Sequence, residues 1–319
     1  METLTYRQDT AGETAEAQTV RKDPKGFNKR KTSAVVKENI IGFAFIAPAV
    51  LLFLVFTVIP LVMSFVFSFA DYNLVNRMEM IGFDNYARLF ADSVYWTSLW
   101  NALCYALMFV PLVVLFSLVT AAMLNSKLFG TKLFRVLFYL PSLTSAVAAA
   151  FVWQWLMNPA YGLLNSMLNG VGLPDCPWLT DKSTALFSIV LINLWGAIGG
   201  NMIVYMTAFQ KVPGELYEAA KIDGAGAVKR FWYVTIPMLR ATTYFTVTMS
   251  LIGAFQLFDQ VNLLTTGGPE LSTTTPVYQI YITAFGSREG GYASAMAVIL
   301  FFIIMAITFV TQKFMKETY

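Results

Sequence analysis

Six stretches of the chain stay apolar over the length of a bilayer crossing: about Phe45 to Phe69, Leu99 to Leu124, Leu133 to Met157, Ala185 to Phe209, Met238 to Asn262 and Tyr292 to Gln312. A hydrocarbon core about 30 Å thick takes roughly 20 apolar residues per helical crossing. In lipid the backbone must satisfy its own hydrogen bonds, and these lengths suit helices rather than the short alternating strands of a barrel. The pattern therefore predicts an all-α integral membrane protein with six transmembrane helices. The polar interruptions divide it into a tail (1–38), a first span with its following outer segment (39–98), a five-span block (99–313) that contains a polar loop at 211–237, and a short C-terminus (314–319).

Composition agrees with this reading. Hydrophobic residues make up 57% of the 319 positions and charged residues 13%, too apolar and too poor in charge for a soluble globular chain. Lys and Arg near the ends of spans are retained on the cytoplasmic side. With the N-terminus inside, eighteen of the 22 basic residues fall on inner segments, and only Arg77, Arg88, Lys182 and Arg288 fall outside. The expected orientation is N-in, C-in, in a prokaryotic cytoplasmic membrane. No secretory signal follows Met1. The tail ends in the basic run Lys29, Arg30, Lys31 and Lys37, a positive-inside flank within reach of anionic headgroups. Membrane lipid is thus a partner and nucleic acid is not. Cys104 lies in the second span and Cys176 in an outer loop, so pairing is not expected. The absence of any His excludes His-based metal sites, proton relays and catalytic triads.

Within the spans, polar and small residues concentrate in two places. The fourth span carries Asn193, Trp195, Gly196, Gly199, Gly200 and Asn201, where small residues permit close helix packing or admit a ligand. The fifth carries Gln256, Asp259, Gln260 and Asn262, and Asp259 is the only carboxylate inside a span. A charge there is costly and usually faces a wet cavity or a partner.

Between the fourth and fifth spans the chain turns polar. Pro213 and Gly214 open a short helix with Glu215 and Glu218 in its first turns, where acidic residues are favoured. Gly224 and Gly226 permit a sharp reversal, and a second short helix is expected from Ala227 to Val234. This segment contains Glu218, Ala219, Ala220, Asp223 and Gly224, then nine residues, then Val234, a spacer, Ile236 and Pro237. It resembles the cytoplasmic loop by which ABC importer permeases dock on their ATPase. The family more often has Ile at the position of Val234 and Leu at that of Ile236; both replacements keep size and apolarity.

The resemblance continues from about Phe45 to the C-terminus, where the chain is similar to carbohydrate-importer permeases related to the larger subunit of the maltose transporter. It rests on Asp71-Tyr72-Asn73, Gly82-Phe83-Asp84-Asn85-Tyr86, Phe138-Tyr139-Leu140-Pro141, Asn158 to Asn165, Phe255 to Asp259, Leu263 to Pro269 and Gly291 to Ala295. Unlike that subunit, this chain has no large outer insertion. The resemblance implies a type I ABC importer permease fold. It also implies a second permease subunit of a different chain, two copies of an ABC ATPase, and an extracytoplasmic sugar-binding protein. Glu218, Ala219, Ala220, Asp223, Gly224 and Pro237 would couple to the ATPase. A sugar, of oligosaccharide type, would pass Trp195, Gly196, Ala197, Gly200, Asn201, Gly253, Ala254, Gln256, Leu257 and Asp259. The chain has no Gly-x-x-x-x-Gly-Lys-Ser/Thr phosphate loop, so it is read as a transport subunit and not an enzyme. No cofactor is expected in this chain; ATP and Mg would sit on the partner.

Other readings differ in what they require. A permease for a polyol or glycerol phosphate would, for the phosphate, need basic residues along the pathway. A secondary transporter would need membrane-embedded titratable groups beyond Asp259, and a membrane enzyme would need a nucleophile and base constellation.

Overall fold

The computed structural model describes residues 26–75, 78–125 and 130–316, which form two compact units, Met1–Pro60 and Leu61–Tyr319. Residues 1–25 of the tail, Arg77, Lys127 and 317–319 lie outside the described residues, as do the side chains of the basic run from Lys29 to Lys37. The first unit is helical from Gly26, well before the expected start at Phe45, because Lys, Arg, Glu and Ala are good helix formers. Helix α1 (Gly26–Phe53) passes into a π turn at Leu54–Val58, where the Ile59 N–H bonds to the carbonyl of Leu54. Pro60 follows two residues later, and the widened turn accommodates the N–H that proline lacks.

The second unit begins within α2 (Ile59–Phe67). Next comes a departure from an all-α chain: β1 (Ala70–Tyr72) and β2 (Met78–Met80) pair antiparallel, with Asp71 opposite Glu79. The hairpin is fastened from three directions. The Asn85 amide, at the start of α3 (Asp84–Ala91), donates to the carbonyls of Ser68 (3.0 Å) and Ala70 (2.9 Å). Arg88 on α3 pairs with Glu289 at 2.8 Å and lies 4.1 Å from the centre of the Tyr292 ring. Tyr292 in turn donates to Asp92 Oδ2 at 2.7 Å. Asp92 Oδ1 accepts the amides of Val94 and Tyr95 and so caps α4 (Ser93–Leu124), which is why this span starts six residues before the expected Leu99. Gly291 presses against the Ala70 carbonyl so closely that no Cβ fits.

The core of this unit is α4 packed on α8 (Ala185–Phe209) and α12 (Arg240–Phe255), with α14 (Gly290–Lys316) alongside. Tyr105, Val113, Ile189, Val190, Ala254 and Met296 are buried at its centre. A second apolar cluster, including Leu118, Met202, Tyr205, Phe209 and Leu239, closes the far end of α4 and α8. The expected third span is bent by 99° between Thr131–Leu143, which starts with α5 (Thr131–Tyr139), and α6 (Ala146–Leu156). Pro141 lies in the 3-10 turn that ends the first half. Gly199 of α8 touches the Phe138 carbonyl there, a contact that excludes any side chain. The loop after α6 folds around Asn165 of α7 (Leu163–Gly170), whose side chain bonds to Pro159, Cys176 and Trp178. Cys104 and Cys176 are both free.

Among the described residues, four helical stretches are long and apolar enough to cross a membrane, or five if the bent pair is one span. The expected fifth span is the exception. α12 has 16 residues, about 24 Å of helix at 1.5 Å per residue, and stops at Phe255, where Gln256 and Leu257 leave the helix. A π turn resumes it at Val261–Thr265. Gly291→Ala should drive the hairpin and α14 apart. The expected outcome is a loss of about 1–3 kcal/mol, read as a lower Tm of the detergent-solubilised protein.

Candidate functional site

The break after α12 and the bend between α5 and α6 open onto one cavity of about 420 Å³. Its walls are Tyr105 and Phe109 of α4; Pro141, Ser142, Thr144 and Ala146 at the bend; Asn193, Trp195, Gly196 and Ala197 of α8; and Gly253 with Gln256 to Gln260 at the break. A break in a membrane helix strands backbone groups that water cannot reach. Here the Gln256 amide is shared between the carbonyls of Ile252 and Gly253, and the fully buried Thr275 donates to the Leu257 carbonyl at 2.6 Å. The loop that supplies Thr275 is held by Asn101 of α4, which donates to the carbonyls of Leu271 (2.7 Å) and Thr274 (3.0 Å). Gln279 of α13 (Pro276–Tyr281) donates to the Thr274 hydroxyl at 2.6 Å. Tyr278 donates to the Thr266 carbonyl at 3.0 Å, and burial raises its phenol pKa, so it stays a neutral donor.

Seven of the ten pathway residues expected from the sequence line this cavity: Trp195, Gly196, Ala197, Gly253, Gln256, Leu257 and Asp259. Trp195 is 40% exposed, its ring edge-on to Trp153 at 5.8 Å. A Cβ on Gly196 or Gly253 would meet open space. Asp259 is exposed and has no ion-pair partner among the described residues. The other three lie elsewhere. Ala254 is buried in the core, Asn201 donates to the Ala197 carbonyl at 3.0 Å, and Gly200 sits half-buried further along α8. The pathway set read from the sequence left out Tyr105 and the bend from Pro141 to Thr144, and it left out Asn193 and Gln260, which stood only among the polar residues of the fourth and fifth spans. The available signal was a proline with two hydroxyl residues interrupting an apolar run. The resulting surface offers an indole face, amides, hydroxyls and one carboxylate, and no Lys or Arg lines it. Among the described residues no group of His, Cys, Asp and Glu could hold a metal ion.

The second candidate site is the polar segment at the other end of the bundle. Pro213 precedes α9 (Gly214–Ile222), Gly224 turns with φ of 78°, and α10 (Ala227–Arg230) continues through a π turn, Phe231–Thr235, into α11 (Ile236–Met238). Pro237 stands two residues after this π turn, as Pro60 stands after the first. Glu218, Ala219, Asp223, Gly224 and Pro237 are exposed and Ala220 is half-buried. Ile222, Val228, Trp232 and Tyr233 are exposed on the same segment. The arrangement is a helix, turn and helix with a small-residue surface and an apolar rim.

A helical membrane bundle with a cavity at a broken helix that exposes amides, hydroxyls and a carboxylate, and with an exposed helix–turn–helix at one end, has the architecture of a transport permease. The chain belongs to the family of binding-protein-dependent transport system inner membrane components, whose model matches residues 93–316. It is a multi-pass inner-membrane protein. It is 35% identical over 287 residues to the probable ABC transporter permease protein YurN of Bacillus subtilis (strain 168), covering 88% of this chain and 98% of the relative. It is 32% identical over 285 residues to the arabinooligosaccharides transport system permease protein AraP of Halalkalibacterium halodurans, covering 88% and 89%. A crystal structure of a bacterial ABC transporter involved in the import of the acidic polysaccharide alginate shares the fold, with a TM-score of 0.77 at 22% identity, over 90% of this chain and 99% of that one.

Replacing Thr275 by Val removes the side-chain donor on the Leu257 carbonyl. It should cost about 1–3 kcal/mol, measured as a lower Tm in detergent, whereas Thr275→Ser should stay near wild type.

Proposed function

We propose that this chain is one permease half of an ATP-driven importer for a sugar of oligosaccharide type, delivered by an extracytoplasmic binding protein. The observation that carries the reading is the Glu218-to-Pro237 pattern standing out from the bundle as an exposed helix–turn–helix, the shape helix-in-groove docking requires. Two copies of an ABC ATPase bind ATP and Mg and hydrolyse the nucleotide; Glu218, Ala219, Ala220, Asp223, Gly224 and Pro237 meet one of them. A second permease subunit of a different chain completes the pathway. The cavity supports a sugar cargo through the exposed Trp195 face and the Gln256 and Asp259 hydrogen-bonding groups. Its lack of a lining cation favours a saccharide over glycerol phosphate. AraP, by its name a permease for arabinooligosaccharides, points the same way.

In this reading the chain crosses the membrane six times, N-in and C-in, with α12 and the π turn at Val261–Thr265 together making the fifth crossing. Eighteen inner against four outer basic residues support the orientation. In a chain carrying Cys104→Ser and Cys176→Ser, a membrane-impermeant thiol reagent should label Ser183→Cys in intact cells and Lys229→Cys only after permeabilisation. Glu218→Lys should leave the protein in the membrane but abolish sugar uptake driven by ATP. The check is solute transported per ATP hydrolysed in proteoliposomes containing the whole transporter, and an unchanged ratio would overturn the assigned role of the segment.

A further inference from the structure

α9 has two different faces. Glu218, Ala219 and Ile222 point outward, while Tyr217 and Ala220, three residues apart and hence on one side of a helix, turn half-buried toward the bundle. Tyr217 Oη lies 2.9 Å from Thr235 Oγ1. Thr235 is 3% exposed and closes the π turn at Phe231–Thr235. The path continues without a gap. The Thr235 carbonyl accepts the Leu239 amide at 3.0 Å, and the Leu239 carbonyl accepts both the amide (2.9 Å) and the hydroxyl (3.1 Å) of Thr243. Tyr205 Oη then donates to Thr243 Oγ1 at 3.2 Å. Tyr205 belongs to α8 and Thr243 to α12, the two helices that carry Trp195 and Gly253 to the cavity wall. Leu239 and Tyr205 are both buried in the apolar cluster that closes this end.

We infer that the Tyr217–Thr235 hydrogen bond is the strut through which displacement of α9 is passed to α8 and α12. This rests on the reading of α9 as the ATPase-coupling helix. Two features make it fit for that work. The bond joins the inner face of the docking helix to a residue rooted in the core, so the outer face can be gripped without disturbing it. The π turn that ends in Thr235 is the one wide, non-α segment between the docking helices and α12, so without the strut α9 can tilt about the Gly224 turn while α12 stays still. Tyr217 and Thr235 are positioning residues, which touch neither nucleotide nor cargo.

The test uses the complete transporter in proteoliposomes, with ATP hydrolysed per solute transported as the readout and co-purification of the ATPase as the assembly control. Tyr217→Phe keeps the ring and removes the hydroxyl; Thr235→Val removes the hydroxyl from the other side; Thr235→Ser keeps a hydroxyl there. Each of the first two should raise the ATP-per-solute ratio about two- to tenfold, the range open to loss of one hydrogen bond. The double variant should be no worse than either single one, because both remove the same bond, and Thr235→Ser should lie near wild type. A purely structural role would lower the amount of assembled transporter and leave the ratio unchanged. If Glu218→Lys uncouples while Tyr217→Phe and Thr235→Val keep the wild-type ratio, the strut is refuted and the coupling role of α9 stands. If Glu218→Lys also keeps it, the coupling reading fails and takes the strut with it.

Discussion

A backbone polar group inside lipid has no water to turn to, and each one left unpaired costs several kcal/mol. The fifth crossing depends on how the chain meets that constraint where α12 stops, and side chains take up backbone groups at other helix ends as well. The Asp92 carboxylate caps α4, Asn85 takes up the carbonyls at the end of α2 and the start of β1, and Asn165 gathers the loop beyond α6. At the cavity, Thr275 and Asn101 hold the chain where α12 gives out. Asn85, Asn101, Asn165 and Thr275 are buried polar groups that would be liabilities in an apolar core. Here each replaces a bond that a straight helix would have made for itself.

The same economy explains why the bundle can have a polar interior. A continuous fifth span would present an apolar rod to α4 and α8. Ending α12 at Phe255 instead turns Gln256 and Asp259 into open space, and the 99° bend of the third span brings Ser142 and Thr144 to face them. Close backbone contacts permit this folding. Gly199 lets α8 lie against the Phe138 carbonyl at the bend, and Gly291 lets α14 lie against Ala70. Gly196 and Gly253 serve the opposite purpose, since nothing fills the space in front of them. The glycines of one helix thus divide between packing and vacancy, and only their surroundings tell them apart.

At the other end, α9 has one exposed face and one that turns toward the bundle. Its exposed face is small and smooth around Ala219, whereas Tyr217 reaches back to Thr235. The proline-linked π turns before Pro60 and Pro237 repeat one local solution to a missing N–H. Only the second lies between the exposed α9–α10 segment and a helix that lines the cavity.

Much of this was legible in the order of residues. Hydrophobic runs of bilayer length announce membrane helices because the cost of polar groups in lipid is local and depends on composition alone. The Glu-Ala-Ala segment was equally readable, because its helix starts, its glycine reversal and its proline are all short-range signals. Residues 185–209 form the fourth helix as expected, since nothing in that run interrupts it. What the sequence could not decide were the places where a distant partner substitutes for a local bond. The hairpin at Ala70–Met80 depends on Asn85 and Gly291, and the length of α12 on Thr275 eighteen residues beyond Leu257. Likewise Trp195, Gln256 and Asp259 were visible as candidates, but Tyr105 and the Pro141–Thr144 bend joined them only through packing, and Ala254 and Asn201 were turned away by it. By itself the sequence determined that the chain enters a membrane and where its polar helix–turn–helix segment falls, because both follow from local chemistry. Tertiary structure alone decided where the helices break and which polar groups meet, because a broken helix survives in lipid only when another part of the chain supplies the missing hydrogen bond.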